Sequence, residues 1–128
     1  MRGIRAPTRL LVAMLTSALL TATLNACGRT VTAGTGQTVR VALTEYRVIP
    51  QSIRFRAGQL TLRVENDGRL AHSLAVSRRG SIVGQTPPLL PGASADLVLS
   101  LPPGSYLMSS TLFSDQALGE YGTLTVIR

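Results

Sequence analysis

The stretch GSYLMSSTLFSDQALGEYGTLTV, residues Gly104–Val126, decides the fold of this chain of 128 residues. Its first part, Ser105 to Thr111, has the composition of a short strand. A loop follows and returns through Gly119 and Gly122 into an alternating segment that reads as a closing strand. The stretch therefore predicts two strands joined by a loop at the C-terminal end of a β-sheet domain.

The residues before this stretch alternate between apolar and polar side chains from Thr38 onward. The clearest alternating apolar positions are Val39, Val41 and Leu43, then Ile53 and Phe55, then Leu60, Leu62 and Val64, and finally Ala95, Leu97, Leu99 and Leu101. A period of two is that of half-buried strands, and Gly-, Pro- and Asn-containing turn signals separate the runs. Six to eight short strands with a turn about every 8–12 residues predict an all-β, antiparallel Greek-key β-sandwich.

The N-terminal segment has the features of an export signal. Three arginines, Arg2, Arg5 and Arg9, precede an apolar run over Leu10–Leu24. This run is shorter than the roughly 20 apolar residues that span a membrane. It ends in Leu24-Asn25-Ala26-Cys27, which resembles the lipobox of bacterial lipoproteins. Cys27 is the only cysteine of the chain. We predict a lipoprotein signal peptide over residues 1–26 and acylation of Cys27; the alternative is an ordinary signal peptide with a spare cysteine.

The segment after Cys27, GRTVTAGTGQ, is small and polar and has no period. It predicts a lipid-anchored flexible tether over residues 27–37 and a folded domain over residues 38–128. The predicted location is the cell membrane, on its extracytoplasmic side. Without the leader, 10 of the 13 arginines remain, and together with the 6 acidic residues they give a net charge of +4. This excess suits an anionic membrane surface or a wall polymer, but the interpretation we favour is a solvated basic surface. The expected partners are the membrane, through the lipid anchor, and an envelope protein or wall polymer. The arginines are scattered and aromatics are few, so we expect no nucleic-acid partner, and we expect a monomer.

Five short motifs occur in a fixed order along the domain. They are AGQL at Ala57–Leu60, NDGRLAHSL at Asn66–Leu74, LPGAS at Leu90–Ser94, LPPGSY at Leu101–Tyr106, and Gly119-x-x-Gly122 followed by TLTV. Together, over Thr38–Arg128, they resemble the cupredoxins, the small copper-binding β-sandwiches. The resemblance implies a cupredoxin-like fold. It also implies that His72 stands at the position of the family's first copper-binding histidine.

The resemblance assigns the remaining ligand positions to residues that do not suit blue copper. Ser110 stands where the family has its cysteine, Asp115 where it has the second histidine, and Glu120 where it has the methionine. A type 1 copper centre needs a cysteine thiolate, and a serine hydroxyl does not deprotonate near neutral pH. The methionine of the domain, Met108, is predicted to lie in the core. We therefore predict no type 1 copper, and with it no blue-copper electron transfer.

Two interpretations of His72, Asp115 and Glu120 remain. One imidazole and two carboxylates can hold a divalent metal such as Cu(II) or Zn(II). Alternatively, His72 hydrogen-bonds to or pairs with one of the carboxylates and no cofactor is bound, which is the interpretation we favour. The sequence has no Gly-x-Ser-x-Gly elbow, phosphate loop or dinucleotide fingerprint, so we expect no enzyme. The leading prediction is a surface-anchored, non-catalytic binding or accessory module. The alternatives are a metal carrier or sensor and, third, a copper electron-transfer protein.

Overall fold

The computed structural model describes residues 29–112 and 117–128, and the regular elements of this part are ten strands. In chain order they are β1 (Thr30–Ala33), β2 (Thr38–Thr44), β3 (Arg47–Ile49), β4 (Ser52–Arg56), β5 (Gln59–Asn66), β6 (Ala75–Arg78), β7 (Ser81–Gln85), β8 (Ser94–Ser100), β9 (Gly104–Ser109) and β10 (Tyr121–Ile127). One sheet has the order β1-β4-β10-β9-β6-β7, and the other has the order β3-β2-β5-β8. No helix in this part of the chain is long and apolar enough to cross a membrane.

The core lies between the two sheets and follows from the alternation in the sequence. Successive side chains of a strand point to opposite faces, so every second residue of a strand in a sandwich is buried. The four-stranded sheet contributes Val39, Val41, Leu43, Leu60, Leu62, Val64, Leu97 and Leu99; the six-stranded sheet contributes Ile53, Phe55, Val76, Tyr106, Met108, Leu124 and Val126. The all-β sandwich and the core position of Met108 are thus confirmed.

The strand count and strand directions differ from the prediction. Ten strands are present in the described residues, not six to eight, and the sheets are mixed. β1 pairs in parallel with β4, β4 with β10, and β2 with β5. β1 and β6 have only four residues each and β3 has only three, too few for a visible alternation. Parallel pairing also joins segments that no tight turn connects, so it leaves no local signal in the sequence.

The folded body begins earlier than predicted. β1 lies within the segment interpreted as a tether, and it runs parallel to β4 with Val31 opposite Ile53 and Ala33 opposite Phe55. Ala33 is only 5% exposed. The domain boundary at Thr38 was therefore wrong by one strand, because two small apolar side chains among threonines and glycines give almost no pattern. The predicted signal peptide and Cys27 lie outside the described residues.

The stretch that decides the fold forms the antiparallel pair β9–β10, with Tyr121 opposite Ser109 and Gly122 opposite Met108. Gly122 is required by close packing. A Cβ atom at this position would lie 2.5 Å from the Gln51 carbonyl oxygen and 3.0 Å from Met108 Cε. β10 therefore fits between β4 and β9 only with a glycine there, and Glu120 is placed immediately before the strand.

Candidate functional site

His72 is held in place by its own backbone. Its N–H donates to the Leu89 carbonyl at 3.0 Å, and its carbonyl accepts from the Leu89 N–H at 2.7 Å. The imidazole is fully buried. The position of the ring is therefore fixed by a main-chain bridge outside the named strands.

Asn66, the last residue of β5, braces the loop that leads to His72. Its Nδ2 donates to the carbonyls of Leu70 at 2.8 Å and Leu89 at 2.7 Å, and its Oδ1 accepts from the Gly68 N–H at 2.9 Å. This side chain is buried, so each bond replaces water that the groups have lost. The sequence identified Asn66 only as part of a turn and a motif. Its contact with Leu89 depends on the tertiary fold.

Glu120 forms a buried pair with His72. The His72 Nδ1 atom lies 2.8 Å from Glu120 Oε2, and both side chains are 0% exposed. A buried ion pair is tolerable only with such close geometry, because each charge alone would be strongly disfavoured. The structure thus brings together two of the three residues that the sequence singled out.

A second carboxylate, Glu45, lies at the opposite edge of the ring. Glu45 comes from the turn between β2 and β3, and its Oε1 is 3.7 Å from His72 Nε2. The same oxygen accepts hydrogen bonds from the backbone N–H groups of Arg69 and Leu70. The Arg69 amide is the main reason why the pKa of Glu45 lies below its ordinary value of 4.5. Sequence reasoning missed Glu45, since nothing local links this turn to His72.

Gly68 gives these groups room. A Cβ atom there would lie 2.7 Å from Glu45 Oε1 and 3.0 Å from His72 Nε2. Any other residue must therefore push the carboxylate or the ring aside. The sequence identified Gly68 only as part of a turn and a motif.

Ser110, at the family's cysteine position, is buried beside Glu120. Its Oγ accepts from the Leu112 N–H at 3.2 Å, and its own N–H donates to the Glu120 carbonyl at 3.4 Å. These contacts shape the start of the loop after β9. Asp115 lies outside the described residues, so its predicted place near His72 stays a prediction.

This donor set does not fit type 1 copper. The only cysteine of the chain is Cys27, far from Ser110 in the sequence, and the site offers an imidazole between two carboxylates. The carboxylates of Glu45 and Glu120 face different ring nitrogens, so one ion bound to the ring cannot take both as ligands. Within residues 29–112 and 117–128, no three His, Cys, Asp or Glu residues form a group able to hold a metal.

Comparison with known proteins identifies solved structures with a similar fold. No protein-family model and no curated protein matches the sequence. Solved structures do match. Dithionite-reduced auracyanin from Roseiflexus castenholzii is 20% identical with a TM-score of 0.66, covering 74% of this chain and 100% of that chain. Reduced rusticyanin is 19% identical with a TM-score of 0.61, covering 77% and 84%.

Auracyanin A from Chloroflexus aurantiacus, described as a "blue" copper protein, is 14% identical with a TM-score of 0.63, covering 74% of this chain and 100% of that chain. At these identities the likeness concerns the fold alone. It agrees with the order of the five motifs and with the two-sheet topology. The described part of the chain is therefore a cupredoxin-like β-sandwich domain.

Proposed function

We propose that this protein is a lipid-anchored, non-catalytic cupredoxin-fold module on the extracytoplasmic face of the cell membrane, which acts by binding and lacks a blue-copper site. The observation that carries the proposal is the 2.8 Å contact between His72 Nδ1 and Glu120 Oε2. In the resemblance to cupredoxins, these residues stand at two of the copper-ligand positions, and here they bind each other.

The chemistry of the pair supports this role. Copper at the ring nitrogen Nδ1 would have to displace the Glu120 carboxylate, which is fully buried. A soft thiolate would normally favour such a displacement in this fold, but Ser110 supplies only a hard, neutral hydroxyl. The pair thus joins the loop after β5, which carries His72, to the loop before β10, which carries Glu120. A bound metal would connect the same two loops.

A metal carrier or sensor is the second candidate. The contact between His72 Nδ1 and Glu120 Oε2 favours it. An imidazole nitrogen and a neighbouring carboxylate oxygen can serve as two ligands of a zinc or copper site. Asp115 would have to supply a third ligand. Glu45 cannot, since it faces the other ring nitrogen.

A metal titration tests the two candidates. The protein beginning at Gly28 is titrated with Cu(II) and Zn(II) and followed by calorimetry and optical absorption. We expect no saturable binding and no thiolate-to-copper charge-transfer band. Saturable binding that is lost in both His72→Ala and Asp115→Asn would establish the carrier. Asp115→Asn keeps both members of the buried pair, and its thermal unfolding is compared with that of wild type to test for misfolding.

The anchor is tested separately. The mass of the N-terminal peptide from membrane-extracted protein should show diacylglyceryl on Cys27 and the loss of residues 1–26. An unmodified Cys27 in a mature, secreted chain would reject the lipid anchor.

A further inference from the structure

A groove of about 800 Å³ lies where the two sheets meet at the edge strands β1 and β3. Its walls carry three arginines and two tyrosines: Arg29, Arg40, Arg47, Tyr46 and Tyr121. Apolar residues, among them Val31 and Val48, also line it. A groove lined by arginines and by apolar side chains suits an anionic ligand with an apolar body.

Two of the three arginines form no ion pair within the part of the chain that the structure describes. Arg40 pairs with Glu65 at 2.5 Å and with Asp67 at 2.8 Å. Arg29 and Arg47 are exposed and make no ion pair with any carboxylate in the described ranges. A guanidinium presents a planar fork of donors that matches a phosphate group, so this pair of side chains favours a phosphate.

The position of the groove along the chain identifies the source of the phosphate. Arg29 follows Cys27 by two residues, and two extended residues span at most about 7 Å. β1 is fixed in the sheet from Thr30 onward, so no long tether separates the folded body from Cys27. The headgroup layer on each side of a bilayer is itself about 5–7 Å thick. An acyl chain on Cys27 therefore brings Arg29 to the level of the lipid phosphates.

The exposed side chains around the groove suit the same surroundings. Tyr46, Ile49 and Tyr121 are 39%, 48% and 46% exposed. Tyrosine rings with one apolar and one polar end are typical of membrane interfaces. Tyr46 also has a φ of 63°, a left-handed conformation that is rare for a bulky residue. The two-residue turn between β2 and β3 thus holds this ring outward at a cost.

We propose that the groove binds the phosphate of an anionic phospholipid and so seats the domain flat against the membrane that anchors it. Arg29 and Arg47 contact the phosphate, and Tyr46 and Tyr121 lie among the headgroups. The placement at headgroup level rests on the proposed anchor at Cys27, whereas the affinity of the groove for the lipid does not.

Vesicle binding tests the proposal without the acyl chain. The protein beginning at Gly28 retains all ten described strands and the whole core, so its fold does not depend on the leader. It is sedimented with vesicles of phosphatidylcholine alone or of equimolar phosphatidylglycerol and phosphatidylcholine. We expect binding to the anionic vesicles only. The double variant Arg29→Gln/Arg47→Gln should bind about thirtyfold more weakly, since each arginine near an anionic surface contributes about 1 kcal/mol.

The matched control is Arg54→Gln/Arg56→Gln, which removes the same charge from exposed positions on β4 outside the groove. It should lower the affinity less than threefold. An equal loss in both double variants would mean binding by overall charge and would overturn the proposal. Binding of free inorganic phosphate without any preference for anionic vesicles would overturn the lipid source. Failure to bind these vesicles would reject lipid binding by the groove. The lipid anchor would still be decided separately, by the mass of the Cys27 peptide.

Tyr46→Asn provides a second variant that keeps the turn. Asparagine tolerates the left-handed conformation better than tyrosine, so the fold should be as stable as before. Vesicle binding should fall severalfold, because the ring is removed from the interface. Unchanged binding would contradict the place assigned to Tyr46.

Discussion

At the scale of single residues, the most informative feature is a line of three side chains, Glu45, His72 and Glu120. The ring lies between the two carboxylates, 3.7 Å from one and 2.8 Å from the other. Glu120 is fully buried, whereas Glu45 is partly open to solvent. The two carboxylates therefore have different roles. Glu120 fixes the loop before β10 through a contact between two fully buried side chains, and Glu45 fixes the loop after β5 through backbone amides.

Removing one member of the buried pair should be costly. Glu120→Ala leaves His72 without its carboxylate in the core, and the free energy of unfolding should fall by about 3–5 kcal/mol. The double variant His72→Leu/Glu120→Leu replaces the pair with apolar groups and should recover most of that loss. Urea unfolding of the three proteins measures both effects. A cost below about 1 kcal/mol for Glu120→Ala would show that the pair does not hold the loops together.

Glu45 should make stability depend on acid pH. Its pKa is lowered in the folded state, mainly by the Arg69 amide, so the folded protein favours the carboxylate more than the unfolded chain does. Its contribution is complete above the unfolded pKa and is lost as pH falls through the folded pKa. Wild type should therefore lose more stability than Glu45→Gln between neutral pH and a pH below 4.5, the ordinary pKa of this group.

Thermal unfolding across that pH range measures the difference. Gly68→Ala serves as an independent check, because its Cβ would displace the Glu45 carboxylate from the amides without removing its charge. It should flatten the pH dependence as Glu45→Gln does. Identical pH profiles for wild type and Glu45→Gln would disprove this role of Glu45.

At the scale of elements, the short strand β1 changes the picture of how the domain is attached. It is an edge strand of four residues, and among the described strands it pairs only with β4. Its inward side chains, Val31 and Ala33, pack against the core beside Phe55. The chain therefore enters the sandwich almost directly after the predicted acylation site, which leaves little freedom in how the domain faces the membrane.

Introducing an aspartate on either the buried or the exposed face of β1 tests whether this segment is a packed strand or a flexible tether. Ala33→Asp buries an unpaired carboxylate and should lower the free energy of unfolding by about 3 kcal/mol or more. Thr32→Asp adds the same charge to the exposed face of the same strand and should cost less than about 1 kcal/mol. Denaturant unfolding of both variants gives the answer. Equal, small effects would mean that residues 30–33 do not pack on the domain in solution.

At the scale of the whole molecule, the sandwich has its buried pair at one end and a basic groove between two edge strands. The described domain has about 100 residues, which is enough to form a sufficient core without metal or disulfide. We therefore expect the domain to fold without a bound metal. The groove and the site share the turn between β2 and β3, since Glu45 faces His72 and Tyr46 faces the groove.

Metal ions should leave the stability of the whole domain unchanged. A ligand that binds only the folded state at 100 times its Kd stabilises it by about 2.7 kcal/mol. We expect that neither a chelator nor added Cu(II) or Zn(II) shifts the unfolding temperature by a comparable amount. Calorimetric scans with and without each ion check this. A clear rise with one ion, absent in Asp115→Asn, would support the carrier instead.

The sequence by itself determined the fold class, most of the core and the lack of a cysteine at the position of Ser110. Alternation of apolar residues and turn signals act locally, because side-chain direction in a strand follows from the backbone alone. That Cys27 is the only cysteine is likewise a fact of composition. His72 and Glu120 were singled out by the resemblance of their motifs to those of cupredoxins.

Only the tertiary structure decided which groups meet. Glu45, Asn66 and Leu89 reach the His72 loop from distant parts of the chain, and β1 is recognisable as a strand only beside β4. Likewise, the groove exists because the edge strands β1 and β3 are brought together, which places Arg29 near Arg47. Such contacts depend on parallel pairing and on the packing of two sheets. Both join residues that no local pattern relates, and so only the folded chain reveals them.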